Sequence, residues 1–174
     1  YYKLQSFFFM PLFGMNGATI SIVAYNYGAQ RKDRMLKTIR LAATAAICIM
    51  IAGLLAFQFI PQVLLGIFNP SEDFLKIGIM ALRIISIHFP VAAVCIVMGS
   101  VFQALGNGIY STIISLGRQL IVLLPAAYLL SLTGNVNNVW WAFPIAECAS
   151  LVLSLTFFRK IYRERIATLP DVTE

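Results

Sequence analysis

Charged residues are scarce in this sequence. Of its 174 residues only 13 are basic and 7 are acidic, together 11%, whereas 60% are hydrophobic. A soluble domain carries about 25% charged residues, so this chain has too little charge to cover a surface that faces water. The composition excludes an ordinary soluble enzyme, a disordered tail and a nucleic-acid-binding domain, and it predicts a membrane protein.

Histidine and cysteine are also rare, with one of the first and three of the second. Cys48, Cys95 and Cys148 stand singly inside apolar stretches, so no spacing predicts a metal site or a disulfide framework. The sequence contains no paired carboxylates, no HExxH motif and no glycine-rich phosphate loop. We therefore expect no enzymatic activity, no metal and no organic cofactor.

Long hydrophobic stretches dominate what is present. A membrane-spanning helix needs about 20 mostly apolar residues, whereas barrel strands alternate polar and apolar residues over about 10 positions. A helix also satisfies its backbone hydrogen bonds within itself, as the bilayer core requires. The sequence predicts an all-α, polytopic transmembrane helix bundle with five spans, at about residues 4–27, 41–60, 77–104, 109–132 and 139–158.

Basic residues predict how the spans are oriented. The positive-inside rule places loops rich in Lys and Arg in the cytoplasm. The loop between spans one and two and the tail from 161 to 174 would be cytoplasmic, and the N-terminus would be outside. We expect an integral protein of the plasma (inner) membrane with a cytoplasmic C-terminus. Nine basic residues carry this prediction: Arg31, Lys32, Arg34, Lys37, Arg40, Arg159, Lys160, Arg163 and Arg165.

Four ionisable residues fall inside the predicted spans: Arg83, His88, Arg118 and Glu147. A charge at the bilayer centre costs about 2.5–3.5 kcal/mol by insertion scales, so it needs a partner, a cavity or a function. Counting about 1.5 Å per residue, Arg118 and Glu147 each lie roughly 12–14 Å from their own membrane surface, near the midplane. A short turn joins their spans, which predicts that the two side chains pair.

Polar residues also recur at helical spacing on three spans. Such stripes have two possible roles: they line a common cavity, or they form hydrogen bonds between helices. Packing or a hydrogen bond is the simpler role for His88, which has no partner at metal-ligand spacing. The stripes are Gln5, Asn16 and Thr19 on span one, Ser111, Ser115, Arg118 and Gln119 on span four, and Glu147, Ser150 and Ser154 on span five.

Several short strings resemble one transporter family. They are GMNGA at 14–18, AYNYGA at 24–29 followed by Arg34, FQALGNG at 102–108, Arg118-Gln119 with Pro125, and AFPIAE at 142–147. Their order and spacing resemble the C-terminal half of the MATE (multidrug and toxic compound extrusion) family. The resemblance covers nearly the whole chain.

This resemblance implies a 12-helix protein with two six-helix lobes, of which the chain would hold the last five helices. It implies efflux of cationic, amphipathic drugs by alternating access, driven by inward Na⁺ or H⁺, with an N-terminal lobe of the same protein and membrane lipid as partners. One branch of the family binds its cation through acidic residues that include one in the third of these spans. The third span here has no Asp or Glu.

We take Glu147 as the candidate cation-attracting group and Arg118 as the residue that positions it. The candidate pathway residues are Glu147, Arg118, Gln119, Asn16, Gln5, His88 and Arg83. Two other functions stay open. A lipid-linked precursor flippase of a related superfamily would have a more cationic cavity, and a membrane scaffold subunit would bury its polar stripes against helices without a cavity.

Overall fold

The computed structural model describes residues 2–68 and 71–170, and no strand occurs in these two ranges. Nine α-helices and two π-helical stretches form the described chain. The α-helices are α1 (Tyr2–Gly28), α2 (Lys32–Phe59), α3 (Pro61–Gly66), α4 (Glu72–Ser86), α5 (Phe89–Ala104), α6 (Gly108–Leu116), α7 (Leu124–Ser131), α8 (Val136–Val139) and α9 (Ala142–Ile161). The π-helical stretches are Gly117–Leu123 and Tyr162–Ile166.

Four helical segments are long and apolar enough to cross a membrane, and the bent pair α4 and α5 passes the same test only when its two helices are taken together. The four are α1, α2, Gly108–Ser131 and Val136–Ile166. The predicted all-α transmembrane bundle is confirmed. The bounds differ most at α2, which begins at Lys32 rather than near residue 41. Basic residues are good helix formers, so the helix continues past the apolar stretch through the charged segment.

The region predicted as the third span consists of two helices rather than one. Its halves α4 and α5 meet at an angle of 48°, with Ile87 and His88 at the break. Pro90 lies just beyond it and removes a backbone N–H that an unbroken helix would need. Gln58 of α2 donates from Nε2 to the Arg83 carbonyl at 2.9 Å and to Ser86 Oγ at 3.1 Å. The side chain of a neighbouring helix therefore holds the broken end.

The last span also departs from its predicted bounds. It starts with the short α8, where Asn135 Oδ1 accepts a hydrogen bond from the Asn137 N–H at 3.0 Å. Beyond α9 the π-helical stretch continues to Ile166, so the predicted tail from residue 161 begins within helical structure. Residues 171–174 of the predicted tail lie outside the described residues.

Helix α5 lies at the centre of the bundle, because it contacts α1, α2, α6 and α9. One apolar cluster surrounds the side of α5 near the break, where the rings of Phe57 and Phe89 have centroids 5.2 Å apart. A second cluster lies at the opposite end of α5 and includes Val101, Phe102 and Ile161. The space between α1, α5, α6 and α9 is where the polar side chains gather.

Candidate functional site

An ion pair joins the two charged residues that the sequence places near the midplane. Arg118 Nη1 donates to Glu147 Oε2 at 2.9 Å, so the predicted contact is present. The two side chains differ in exposure, with 39% of Arg118 and 4% of Glu147 accessible. The carboxylate is enclosed by the bundle, whereas the guanidinium reaches its open face.

Arg118 lies in a π-helical stretch, which the sequence did not predict. The Leu124 N–H donates to the carbonyl of Gln119, five residues earlier. Pro125, which follows, has no N–H to continue an α-helical pattern. A π-helical turn shifts the side chains relative to an α-helix, and such turns are frequent at functional sites. The register of Arg118 and Gln119 is therefore set by this local widening.

Two cavities open on either side of the ion pair. The first, which we call the Asn16 cavity, has a volume of about 220 Å³, and the second, the His88 cavity, has about 450 Å³. The polar residues of the Asn16 cavity are Asn16, Gln103, Ser111, Ser115, Arg118, Glu147 and Ser150. The polar residues of the His88 cavity are Tyr2, Gln5, Ser6, His88, Arg118, Gln119 and Glu147.

The two cavities follow one another along the helix axes. Phe9, Phe13, Arg118 and Glu147 line both of them. On α1 the His88 cavity starts at Tyr2, before these phenylalanines, and the Asn16 cavity extends beyond them. The ion pair and the two rings thus form the junction between two consecutive cavities.

Six of the seven candidate pathway residues lie at this junction or in one of its cavities. Arg83 is the exception: it is exposed on α4 and lines neither cavity. Its neighbours Leu82, Ile84 and Ile85 are buried, so that face of α4, and not Arg83, packs into the bundle. The six are Asn16 in the first cavity, Gln5, His88 and Gln119 in the second, and Arg118 and Glu147 in both.

Hydrogen bonds between helices occur in the same region, so both roles left open for the polar stripes are realised. Ser111 Oγ donates to the Gly99 carbonyl at 3.0 Å and also lines the Asn16 cavity. Ser100 Oγ donates to Asn16 Oδ1, which links α5 to α1. Thr19 lines neither cavity, and its hydroxyl donates to the Met15 carbonyl one turn earlier.

The histidine is packed among aromatic rings at the break of the third span. The His88 ring stacks on Phe143 at a centroid distance of 6.3 Å and meets Phe89 edge-on at 5.3 Å. The residue is 5% exposed, and its Nδ1 makes no hydrogen bond of good geometry within residues 2–68 and 71–170. The predicted packing role is observed, together with a place on the cavity wall.

Sequence reasoning missed the apolar and weakly polar parts of the site. Phe9, Phe13 and Phe143 line the cavities, as do Cys95 and Gln103. Gln103 belongs to the FQALGNG string, and a polar residue at the end of an apolar span was an available signal. The phenylalanines gave none, because aromatic side chains in a membrane span most often face lipid or the core. Within the described residues no group of three His, Cys, Asp or Glu is placed to hold a metal ion.

The model of the MatE family matches residues 2–129, about three quarters of the chain. This chain belongs to the MatE family. Solved structures agree with the assignment. The MATE multidrug transporter DinF-BH, in complex with rhodamine 6G, shares 31% identity and superposes with a TM-score of 0.83 over 96% of this chain and 37% of its own.

Two more distant MatE-like structures share the fold. An inward-facing multidrug resistance MATE family transporter of the MOP superfamily is 21% identical, with a TM-score of 0.83 over 97% of this chain and 38% of its own. A MOP superfamily transporter from Pyrococcus furiosus, described as having a binding pocket of reverse polarity, is 24% identical, with a TM-score of 0.83 over 97% and 37%. No curated protein sequence matches the chain.

The chain spans under two fifths of the length of these transporters. That share is consistent with a single lobe of a MatE protein. The two cavities and the ion pair therefore lie within one lobe.

Proposed function

We propose that the complete protein is a secondary transporter that exports amphipathic, cationic compounds in exchange for inward-moving Na⁺ or H⁺. It would work by alternating access in the plasma (inner) membrane, with the C-terminus in the cytoplasm. This chain would supply the C-terminal lobe and face the N-terminal lobe of the same protein. Membership of the MatE family and the rhodamine 6G complex of a 31% identical relative support the proposal.

The observation that carries the proposal is the ion pair at the junction of two cavities. A carboxylate enclosed at membrane depth is a functional-site candidate by default, and Glu147 is 3% exposed with one cationic partner. Phe9 and Phe13 line both cavities beside it, and aromatic faces attract organic cations. Glu147 would take the cationic group of a substrate or the coupling ion when its contact with Arg118 opens.

Two alternatives fit the cavities less well. A lipid-linked precursor flippase calls for a cationic cavity, but the junction carries one arginine and one glutamate, whose charges balance. A scaffold subunit requires polar stripes packed against helices with no cavity between them, whereas cavities of about 220 and 450 Å³ lie between the helices here. Both points favour a transporter of organic compounds.

The test is gradient-driven transport by the complete protein in liposomes. Rhodamine 6G, an amphipathic cationic dye, would be followed by fluorescence under an imposed Na⁺ gradient, an imposed pH gradient, or neither. We expect accumulation under one of the two gradients and none in vesicles without protein. Equal dye movement with and without a gradient would contradict an exchange mechanism. Movement of a labelled anionic lipid instead of the dye would favour the flippase.

A further inference from the structure

A third cavity lies away from the proposed transport site, where α1 and α2 meet. Only residues 29–31 join the two helices, and the Arg31 N–H donates to the Asn26 carbonyl at 2.9 Å to close the turn. Beside the turn is a shallow cavity of about 550 Å³ that is largely open to the outside, and we call it the Arg34 cavity. It is lined by Tyr25, Asn26, Arg34, Lys37, Thr38 and Leu41.

Both cations of the Arg34 cavity are available to a ligand. Neither Arg34 nor Lys37 forms an ion pair with a carboxylate among the described residues. The polar groups of Thr38 and Asn26, which also line the cavity, are bound within their own helices: Thr38 Oγ1 donates to the Arg34 carbonyl at 2.8 Å, and Asn26 Nδ2 donates to the Ile22 carbonyl at 2.8 Å. The cavity therefore offers two positive charges without a carboxylate partner, which suits an anion such as a phosphate.

Large apolar side chains continue the cavity towards the middle of the helices. Tyr25 is 77% and Leu41 71% exposed. Leu41 lies seven residues after Arg34 on α2, a distance of about 10 Å along the axis. The positive charges lie nearer the end of the bundle, and the exposed apolar side chains extend towards its middle. A phospholipid has the same order of parts, with its phosphate at the membrane surface and its acyl chains further in.

We propose that the Arg34 cavity binds the headgroup of an anionic phospholipid. The positive-inside rule places this end of the bundle at the cytoplasmic leaflet, where anionic lipids are found. Basic pockets between membrane helices on that side bind anionic headgroups in other proteins. A soluble phosphate compound would use the two cations but not the exposed Tyr25 and Leu41. The inference rests on the membrane orientation given in the proposed function but not on what the protein transports.

The experiment measures lipid binding to the complete protein by native mass spectrometry. The probes are phosphatidylglycerol, which is anionic, and phosphatidylcholine, which has no net charge. The test variant is Arg34→Gln/Lys37→Gln. The matched control is Arg159→Gln/Arg163→Gln, which removes the same charge from exposed residues at the same end of the bundle. We expect phosphatidylglycerol to bind about 25-fold more weakly to the test variant, the effect of neutralising two basic residues beside an anionic group.

The control variant and a soluble competitor distinguish the possible ligands. Unchanged binding in the control variant and no displacement of the lipid by millimolar glycerol phosphate support a lipid site. Equal losses in both variants would show diffuse attraction and overturn the proposal, as would equal binding of the two lipids to the unaltered protein. Displacement by glycerol phosphate would overturn it too, by assigning the cavity to a soluble anion.

A second measurement uses the unaltered protein, so it holds even if the test variant folds poorly. A photoactivatable phosphatidylglycerol should label peptides that contain Tyr25 or Leu41. Labelling confined to other helices would overturn the proposal.

Discussion

The two charges of the central ion pair should contribute unequally to stability, and a double-mutant cycle can measure this. Removing one partner of a buried pair costs about 3–5 kcal/mol, whereas weakening one charge-assisted hydrogen bond costs about 1 kcal/mol. Glu147 is 4% and Arg118 39% exposed at the side chain. Arg118→Gln strands an enclosed carboxylate, so we expect a loss of about 3 kcal/mol in unfolding free energy. Glu147→Gln keeps a hydrogen-bond acceptor for Arg118 and only weakens a charge-assisted hydrogen bond, so we expect a loss of about 1 kcal/mol.

The double variant Arg118→Gln/Glu147→Gln strands no charge. It should lose about 2 kcal/mol, less than the sum of the single losses, which gives a coupling energy of about 2 kcal/mol. The assay is reversible unfolding of the complete protein by SDS in lipid bicelles. Single losses of equal size, or losses that add within about 0.5 kcal/mol, would refute the assigned burial and contact.

Two further predictions concern packing and the broken span. Gly53→Ala would place a Cβ 3.0 Å from one phenylalanine ring and 3.3 Å from another, an overpacking that costs about 1–3 kcal/mol. The complete protein carrying Gly53→Ala should therefore melt at a lower temperature than the control Gly14→Ala, where nothing lies within 4 Å of the added Cβ. Equal melting temperatures of the two variants would contradict this. Gln58→Ala removes two hydrogen bonds at the break. Hydrogen exchange at residues 83–88 should accelerate relative to the exposed control Gln62→Ala, and unchanged exchange would show that Gln58 does not hold the break.

The helical type of the spans followed from apolar length alone, but the break within residues 77–104 did not. Pro11 and Pro90 give the same sequence signal, yet α1 runs unbroken through Pro11 while the third span bends by 48° before Pro90. The two sites differ in their partners from other parts of the chain. Gln58, on another helix, bonds to the end of α4, and no local pattern carries that information.

The centre of the site was predictable because depth can be counted along a helix. Arg118 and Glu147 have similar depths on neighbouring antiparallel spans, and they meet at 2.9 Å. Depth does not give direction around the axis. Arg83 has a similar sequence signal but lies on the exposed side of α4. The π-helical stretch at Gly117–Leu123 adds a local change in register, which α-helical spacing cannot anticipate.

The most direct test of the central claim is rhodamine 6G transport by Glu147→Gln. Glutamine keeps the shape of the side chain and an acceptor for Arg118 but removes the negative charge. Glu164→Gln is the matched control, since Glu164 is exposed and lies outside both cavities. With equal amounts of protein in the membrane, we predict that Glu147→Gln loses gradient-driven dye transport and that Glu164→Gln retains it. Transport by Glu147→Gln at the level of the unaltered protein would contradict a role for this carboxylate in the pathway.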